Sequence, residues 1–252
     1  MHFTNFYNKD LKEALDENFS NIVTENVGPF VYSTIKTIRP KTILEIGAGY
    51  SSIFFAQALK EIQEENSFDV QLLDNSNPDL KWERRHRLLN KDYQFKSDSK
   101  LIIVDNFSKN NHDTARPVDE CIRKLNLDKY INFIKADAMN LQKINETISN
   151  SLPLDFVFLD FGAGAALPIL FKFYFEHINS NGGYIMVHST LTNAMHRLWL
   201  AELKLKYIND SSVEIMSFLE PNKIMQNSFT LIKKNMELKT GQFNPPIYTA
   251  QP

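Results

Sequence analysis

The feature that most constrains the fold is a short apolar run, residues 41–52 (KTILEIGAGYSS), that ends in a Gly-x-Gly sequence. Its apolar residues are typical of a strand that is buried on both faces of a parallel sheet. Gly47 and Gly49 allow the backbone to turn sharply and to approach a ligand closely. Because Ile53–Ala56 continue with a helical pattern, the free N–H groups of a helix N-terminus follow the glycines. This arrangement predicts a nucleotide-type site at the carboxyl end of the first strand of an α/β sheet.

Strand and helix patterns alternate along the rest of the chain. Strands are predicted at 42–47, 100–105, 131–137, 154–160, 183–188, 213–219 and 228–233. Helices are predicted within 9–38, where Gly28-Pro29 marks the start of a second helix, at 51–65, from Pro117 onward and at 191–206. The last strand follows its neighbour without a helix and should therefore be antiparallel. The fold class is α/β: a Rossmann-like, doubly wound, mostly parallel seven-stranded sheet with an antiparallel last strand, N-terminal helices and an inserted lid-like segment.

The apolar runs of the first five predicted strands end at a glycine loop or, in four of the five cases, at a polar or charged side chain. In chain order these positions are Gly47–Gly49, Asp105-Asn106, Asp137-Ala138, Asp160-Phe161 and His188-Ser189. In open α/β sheets the carboxyl ends of the strands are where ligands bind. One acidic residue at a strand end often only caps the next helix, but a series of them is much harder to explain by capping. The series therefore predicts one site along this edge.

The first motif resembles that of the class I S-adenosylmethionine-dependent methyltransferases, an acidic residue followed by Gly-x-Gly. The resemblance implies that the loop Gly47-Ala48-Gly49 and the following Tyr50 and Ser51 bind the amino-acid end of S-adenosylmethionine. Glu45 would lie near the ammonium group or orient the loop. Ser52 stands where a dinucleotide fingerprint has its third glycine, which argues against NAD.

The later strand ends extend the resemblance over about residues 40–190. In this family an acid after the second strand binds the ribose hydroxyls, which resembles Asp105 with its neighbour Asn106. An acid after the third strand, often in Asp-Ala, lies against the adenine, which resembles Asp137-Ala138. The apolar run that ends in Asp160 resembles the fourth motif and adds Asp160 to the cofactor site. Asp74 is the competing ribose residue because it lies nearer the usual distance from the glycines.

With Asp105 as the ribose residue, residues 66–98 become an insertion that is too long for a passive loop. The insertion contains Trp82 and a cluster of charges, so it could cover the site as a lid or form a solvated helix. The length of 252 residues suits one α/β domain over 1–252, with N-terminal helices at 1–39 and the insertion at 66–98.

His188 is the candidate catalytic residue. It ends the fifth predicted strand, and imidazole titrates near neutral pH, so it could accept the proton of a hydroxyl or ammonium acceptor. A structural, hydrogen-bonded histidine is the alternative, and His177 and His196 are expected on helix surfaces. No metal is predicted, because residues 161–166 offer no oxygen ligand where catechol-type methyltransferases have one.

Net charge, cysteine content and the length of the apolar runs indicate which partners and which compartment to expect. The net charge of −2 gives no general attraction to nucleic acid or to an anionic membrane. The single cysteine, Cys121, favours a reducing compartment, and no run of about 20 apolar residues is present. We therefore expect a cytoplasmic protein, with a small-molecule substrate and a homodimer as expected partners.

The leading interpretation is a metal-independent methyltransferase that uses S-adenosylmethionine to modify oxygen or nitrogen of a small molecule. The alternatives are a nicotinamide-dependent oxidoreductase and a catalytically inactive methyltransferase-fold binding protein. Aminopropyl transfer is disfavoured because the extra carboxylates that it needs are not seen.

Overall fold

The computed structural model describes residues 9–19, 26–73, 98–107 and 114–236. The helices in these residues are α1 Lys9–Phe19, α2 Val27–Ile38, α3 Tyr50–Leu73, α4 Ala115–Leu125, α5 Leu141–Ile148, α6 Leu167–His177 and α7 Ala194–Lys206. The strands are β1 Thr42–Ile46, β2 Lys100–Asp105, β3 Ile131–Lys135, β4 Phe156–Leu159, β5 Tyr184–His188, β6 Val213–Leu219 and β7 Ser228–Lys234.

The seven strands form one sheet in the order β3-β2-β1-β4-β5-β7-β6. The pairs among β1 to β5 are parallel, whereas β7 pairs antiparallel with both β5 and β6. The predicted fold class, including the antiparallel last strand, is confirmed. The strand order reverses direction next to β1, which places the topological switch point, where doubly wound sheets bind ligands, at the end of β1.

Two apolar layers cover the sheet because its central strands carry buried side chains on both faces. All five residues of β1 are buried, and so are all four of β4. One layer packs α1 to α4 against the side that holds Ile43 and Phe158. The other layer packs α5 to α7 against the side that holds Leu44 and Leu159. Helices on both faces of a largely parallel sheet are the doubly wound arrangement that the alternating pattern predicts.

The first helix after the glycines is longer than the sequence indicates. It runs to Leu73 rather than to residue 65, so the predicted end of this helix is wrong and residues 66–73 of the predicted insertion are helical. Asn66 and Asp69 are buried in this part of the helix. The guanidinium group of Arg39 donates to the side chain of Asn66 at 2.5 Å and lies 3.8 Å from the carboxylate of Asp69. The remainder, including Asp74 and Trp82, lies outside the described residues.

Other boundaries differ by a few residues, and two helices were missed. The helical region predicted over 9–38 contains two helices, α1 and α2, and the predicted start of the second at Gly28-Pro29 adjoins the observed start at Val27. In contrast, α5 and α6 were not predicted from the pattern. The side chain of Asn193 accepts hydrogen bonds from the first turn of α7, so this helix starts at Ala194 rather than at 191. None of the helices in the described residues has the length and apolar composition that a bilayer crossing needs.

Candidate active site

The loop after β1 follows a path that only glycine allows at its first position. Gly47 has a φ of +94°, and a Cβ atom there would lie 2.3 Å from the carbonyl oxygen of Asp160. The N–H of Gly47 donates to the carbonyl of Val104 at 2.9 Å. The loop is therefore pressed between the ends of β2 and β4, and a side chain at position 47 would displace it.

Gly49 has a different surrounding. A Cβ atom at this position would meet only the Oγ of Ser51, at 3.8 Å, which is ordinary van der Waals contact. Packing within the described residues therefore does not require glycine here. The missing side chain leaves the space above the loop open for a ligand, at the point where α3 begins.

Glu45 lies beneath the loop and is completely buried. The hydroxyl of Ser51 donates to its Oε1 at 2.6 Å, and the hydroxyl of Ser52 donates to its Oε2 at 2.5 Å. Burial raises the pKa of Glu45 to about 8, the two hydroxyls oppose the rise, and the charges of Asp160 and Asp105 add to it. Because neither Glu45 nor Ser51 reaches the surface, this geometry favours the loop-orienting alternative for Glu45 over direct contact with a ligand.

Hydrogen bonds hold both the N–H and the carbonyl group of Ala48. The Oδ2 atom of Asp105 accepts the N–H of Ala48 at 3.0 Å. The hydroxyl of Thr114 donates to the carbonyl oxygen of Ala48 at 2.5 Å. The other carboxylate oxygen of Asp105 accepts the N–H of Phe107 at 2.6 Å. The orientation of the glycine loop therefore depends on the ends of β2 and α4 as well as on its own sequence.

The two further acidic positions of the cofactor prediction lie at neighbouring strand ends. Asp105 is half-buried at the end of β2, and Asn106 beside it is exposed. Asp137 is exposed just after β3, where its Oδ1 accepts the N–H of Met139 at 2.8 Å, and Ala138 is half-buried. A carboxylate oxygen has two lone pairs, so both acids can accept further hydrogen bonds from a ligand.

On the other side of the loop, Asp160 and His188 form a pair. The Nδ1 atom of His188 lies 2.6 Å from Oδ1 of Asp160, and both residues follow apolar runs of adjacent parallel strands. The imidazole is 8% exposed, whereas the carboxyl group of Asp160 is 25% exposed. An ionised carboxylate can only accept, so with Asp160 ionised the Nδ1–H of His188 is the donor in this pair.

The sheet order brings the predicted residues together in one row. The ends of β3, β2, β1, β4 and β5 present Asp137, Asp105, the glycine loop, Asp160 and His188 in that order. Adjacent strands lie about 4.8 Å apart, so the row from Asp137 to His188 is roughly 19 Å long. An elongated ligand can therefore lie along it, with one end at β3 and the other beside His188.

An aromatic cluster next to His188 was not anticipated from the sequence. His188 is paired with Phe229 in the β5–β7 register. The ring of Phe30 lies 4.5 Å from that of Phe229, and the ring of Phe218 lies 4.8 Å from it, between centroids. These phenylalanines come from α2, β6 and β7, which only the tertiary fold brings together. Thr114 was also not predicted, because it contacts Ala48 only in the folded chain.

The structure also bears on two other histidines, His177 and His196, and on possible metal ligands. The ring of His177 lies near the carbonyl of Phe173 and the side chain of Asn145, on a half-buried helix face. The prediction of a surface position for His196 is wrong, because the side chain is only 4% exposed and faces the sheet. In the described ranges no three His, Cys, Asp or Glu residues are grouped as a metal would need. His112 lies outside them.

Comparison with known proteins shows the fold. No family model matches the sequence, and no curated protein matches it. Among solved structures, an O-methyltransferase from Bacillus cereus in complex with SAH has a TM-score of 0.60 at 15% identity, covering 91% of this chain and 92% of that one. The O-methyltransferase TomG from Streptomyces achromogenes, involved in tomaymycin synthesis and solved with SAM, has a TM-score of 0.60 at 15% identity, covering 91% of each chain.

A third similar structure is the SAH-bound methyltransferase PaMTH1 from Podospora anserina, with a TM-score of 0.56 and 14% identity, covering 91% of this chain and 89% of that one. The structural similarity establishes a common fold over nearly the whole chain, although the sequence identities are low. They do not by themselves transfer an activity.

Proposed function

We propose that this protein is an S-adenosylmethionine-dependent methyltransferase that transfers a methyl group to an oxygen atom of a small molecule. The observation that carries the proposal is the row of strand-end residues at one sheet edge, centred on the glycine loop. The proteins that share this fold at the highest similarity given above were solved with SAM or SAH. Nitrogen remains the second acceptor class.

We assign the parts of the cofactor to the residues of the row as follows. The open space above Gly49 and the N-terminus of α3 suit the amino-acid end, next to the backbone of Ala48 and Tyr50. Asp105, with Asn106 beside it, would bind the ribose hydroxyls, and Asp137-Ala138 would lie against the adenine. Glu45 and Ser51 hold the loop from beneath. Asp160 would border the cofactor site on the side of His188, with which it pairs.

The chemistry needs little from the protein beyond position and one proton acceptor. The cofactor supplies a methyl group that its sulfonium charge has already activated. Holding the acceptor oxygen in line, at about 3–3.5 Å from the carbon that it attacks, provides much of the rate. The ring of His188 lies at the acceptor end of the row, with its Nδ1–H held by Asp160. His188 would take the hydroxyl proton at Nε2, which is buried in this structure, so the acceptor would reach it only after neighbouring side chains move. The carboxylate of Asp160 would then stabilise the resulting imidazolium.

A metal-independent mechanism remains part of the proposal. The residues after Asp160 run Phe-Gly-Ala-Gly-Ala-Ala and contribute no oxygen ligand from their side chains. The carboxylate of Asp160 already binds an imidazole ring. Deprotonation by His188 would replace the activation of a hydroxyl group that a divalent cation provides in metal-dependent enzymes.

The remaining parts of the proposal concern partners and location. A small-molecule acceptor fits a site that ends at the Phe30–Phe218–Phe229 cluster. The net charge of −2 supports neither nucleic acid nor an anionic membrane as a partner. A buried thiol at Cys121 is compatible with a cytoplasmic location.

Native mass spectrometry tests the cofactor class directly. The full chain is incubated with SAH, with NAD or with neither, and the intact complexes are weighed. We expect one SAH per chain and no NAD, because Ser52 stands where NAD proteins need a third glycine. Binding of NAD alone would support the oxidoreductase alternative. Binding of SAH without methyl transfer to any hydroxylated acceptor would support the inactive binding protein.

A further inference from the structure

Helix α7 carries apolar side chains on two opposite faces. The inner face, with Trp199, Leu200 and Leu203, packs into the apolar layer against the sheet. The outer face, here named the leucine stripe, consists of Ala194, Leu198, Ala201 and Leu205, and the exposed Ile208 follows just past the end of the helix. In the part of the chain that the structure describes, Leu198, Leu205 and Ile208 are 64%, 69% and 72% exposed. A surface helix normally carries polar residues on that side, and the described residues place nothing over the stripe that would explain it.

The spacing of the stripe is that of a helix–helix seam. From Ala194 the steps to the next members are four, three and four residues, which is the spacing of the seam positions in a coiled coil. Leu198 and Leu205 take one of the two seam positions, and the alanines take the other. Small residues at alternate seam positions allow two helix backbones to approach closely. The stripe is therefore shaped to receive another helix.

Charges beside the stripe identify the helix that fits. Arg197 flanks the seam on one side, and Glu202 flanks it on the other, five residues later. In a parallel pair of identical helices these two heptad positions face each other, so each Arg197 meets Glu202 of the second copy. In an antiparallel pair, Arg197 would face Lys204 of the second copy, which is unfavourable. We propose that the leucine stripe pairs in parallel with the same stripe of a second copy of this chain, which makes a two-fold homodimer.

The size of the stripe sets the strength of the dimer. Its members span about 17 Å along the helix at 1.5 Å per residue, and a helix is roughly 10 Å wide. The resulting footprint of roughly 170 Å² per chain is well below the roughly 800 Å² per partner of a standard stable interface. The dimer is therefore weak and concentration-dependent. This inference is independent of the proposed chemistry, because the stripe lies on the outer surface of α7 and not on the row of strand ends.

Sedimentation velocity on the full chain, over a concentration series that reaches several hundred micromolar, tests the surface. We expect a reversible dimer that Leu198→Glu or Leu205→Glu weakens at least about tenfold. Ile169→Glu is the matched control, because this side chain is 58% exposed on α6. Near-UV circular dichroism checks that each variant stays folded. A monomeric wild type, or a dimer that loses as much with the control as with the stripe variants, would overturn the proposal.

Two further variants test the parallel orientation. Arg197→Glu alone should weaken the dimer, and adding Glu202→Arg should restore it. An Ala194→Cys thiol should form a disulfide with its counterpart, since parallel seams bring equivalent positions together and the native Cys121 is buried. In an antiparallel dimer, Arg197→Glu would strengthen association and Ala194→Cys would not self-link. That pair of results would refute the parallel arrangement.

Discussion

At the residue scale, Glu45 is a carboxyl group whose surroundings disfavour its charge. It is completely buried, two neutral hydroxyls bind it, and burial raises its pKa from 4.5 to about 8. Between these pH values the folded protein therefore holds a proton that the unfolded chain has lost. The resulting contribution to stability is complete below pH 4.5 and disappears as the pH rises through about 8.

Glu45→Gln should remove this pH dependence because an amide does not ionise. Relative to wild type, the free energy of unfolding of the variant should rise between pH 5 and pH 8.5, by an amount on the order of a few kcal/mol. Urea unfolding at several pH values measures it. Glu214→Gln, at an exposed position on β6, serves as the control and should leave the pH dependence unchanged. Parallel stability curves for Glu45→Gln and wild type would contradict the assignment.

The Ala48 peptide offers a second prediction at this scale. Thr114→Val keeps the shape of the side chain but removes the hydroxyl that donates to the Ala48 carbonyl. The loss of one hydrogen bond, about 0.5–1.5 kcal/mol, should weaken SAH binding about two- to tenfold. Thr114→Ser keeps the hydroxyl and should restore most of the affinity. Equal affinities for Thr114→Val and wild type would show that the clamp does not position the loop.

His188 carries the catalytic prediction. His188→Asn should lower kcat about 10²–10⁴-fold, because the proton acceptor is lost. SAH affinity should change little, because the proposed cofactor contacts come from the ends of β1 to β3. The pH–rate profile separates the roles: wild type should show one limb near neutral pH, where imidazole titrates, and the variant should lack it. Near-normal turnover in the variant would make His188 structural.

Asp160 should act through His188. In Asp160→Asn the amide oxygen can still accept the Nδ1–H, but the negative charge is gone. The imidazolium therefore loses stabilisation, and kcat should fall while the KM for the acceptor changes little. The pH limb should shift to lower pH, because a nearby negative charge favours the protonated ring. A pH–rate profile identical to wild type would show that the hydrogen bond between Asp160 and His188 has no part in proton transfer.

At the scale of elements, the strands could be predicted better than the helices. Five apolar runs that each end at a polar residue identify buried parallel strands, because such strands admit little else. Helix ends depend on partners that the local sequence does not show. Polar residues near position 66 remain in α3, where Arg39 from a separate segment donates to Asn66 and lies near Asp69. The helix α6 was missed because Leu167–His177 is apolar on most of its surface and lacks a clear period.

The candidate site shows the same division. Glu45, the glycines, Asp105, Asp137, Asp160 and His188 were identified because each follows or ends an apolar run. The hydroxyl of Thr114 and the rings of Phe30 and Phe218 were not, because their positions depend on α2, α4 and the β6–β7 pair. Sequence pattern indicates which residues reach the sheet edge. Tertiary packing decides which other residues meet them there.

At the scale of the whole molecule, the strand order is what makes a site from scattered residues. Asp137 and His188 are far apart in sequence but lie in one row because β1 is central and β3 and β5 lie on opposite sides of it. A doubly wound sheet can hold many ligands in this row, so the fold alone does not choose the reaction. The choice rests on the glycine loop, the acid beside it and the imidazole at the end.

Calorimetric titration of SAH into wild type and Asp105→Ala tests the central claim most directly. Asp105 braces the glycine loop and is the proposed ribose ligand, and hydrogen bonds to a charged group contribute roughly 1.5–3 kcal/mol each. We expect one SAH per chain, no heat from NAD, and an affinity at least about tenfold lower for Asp105→Ala. Undetectable SAH binding by the folded wild-type protein, or undiminished affinity in the variant, would contradict the account.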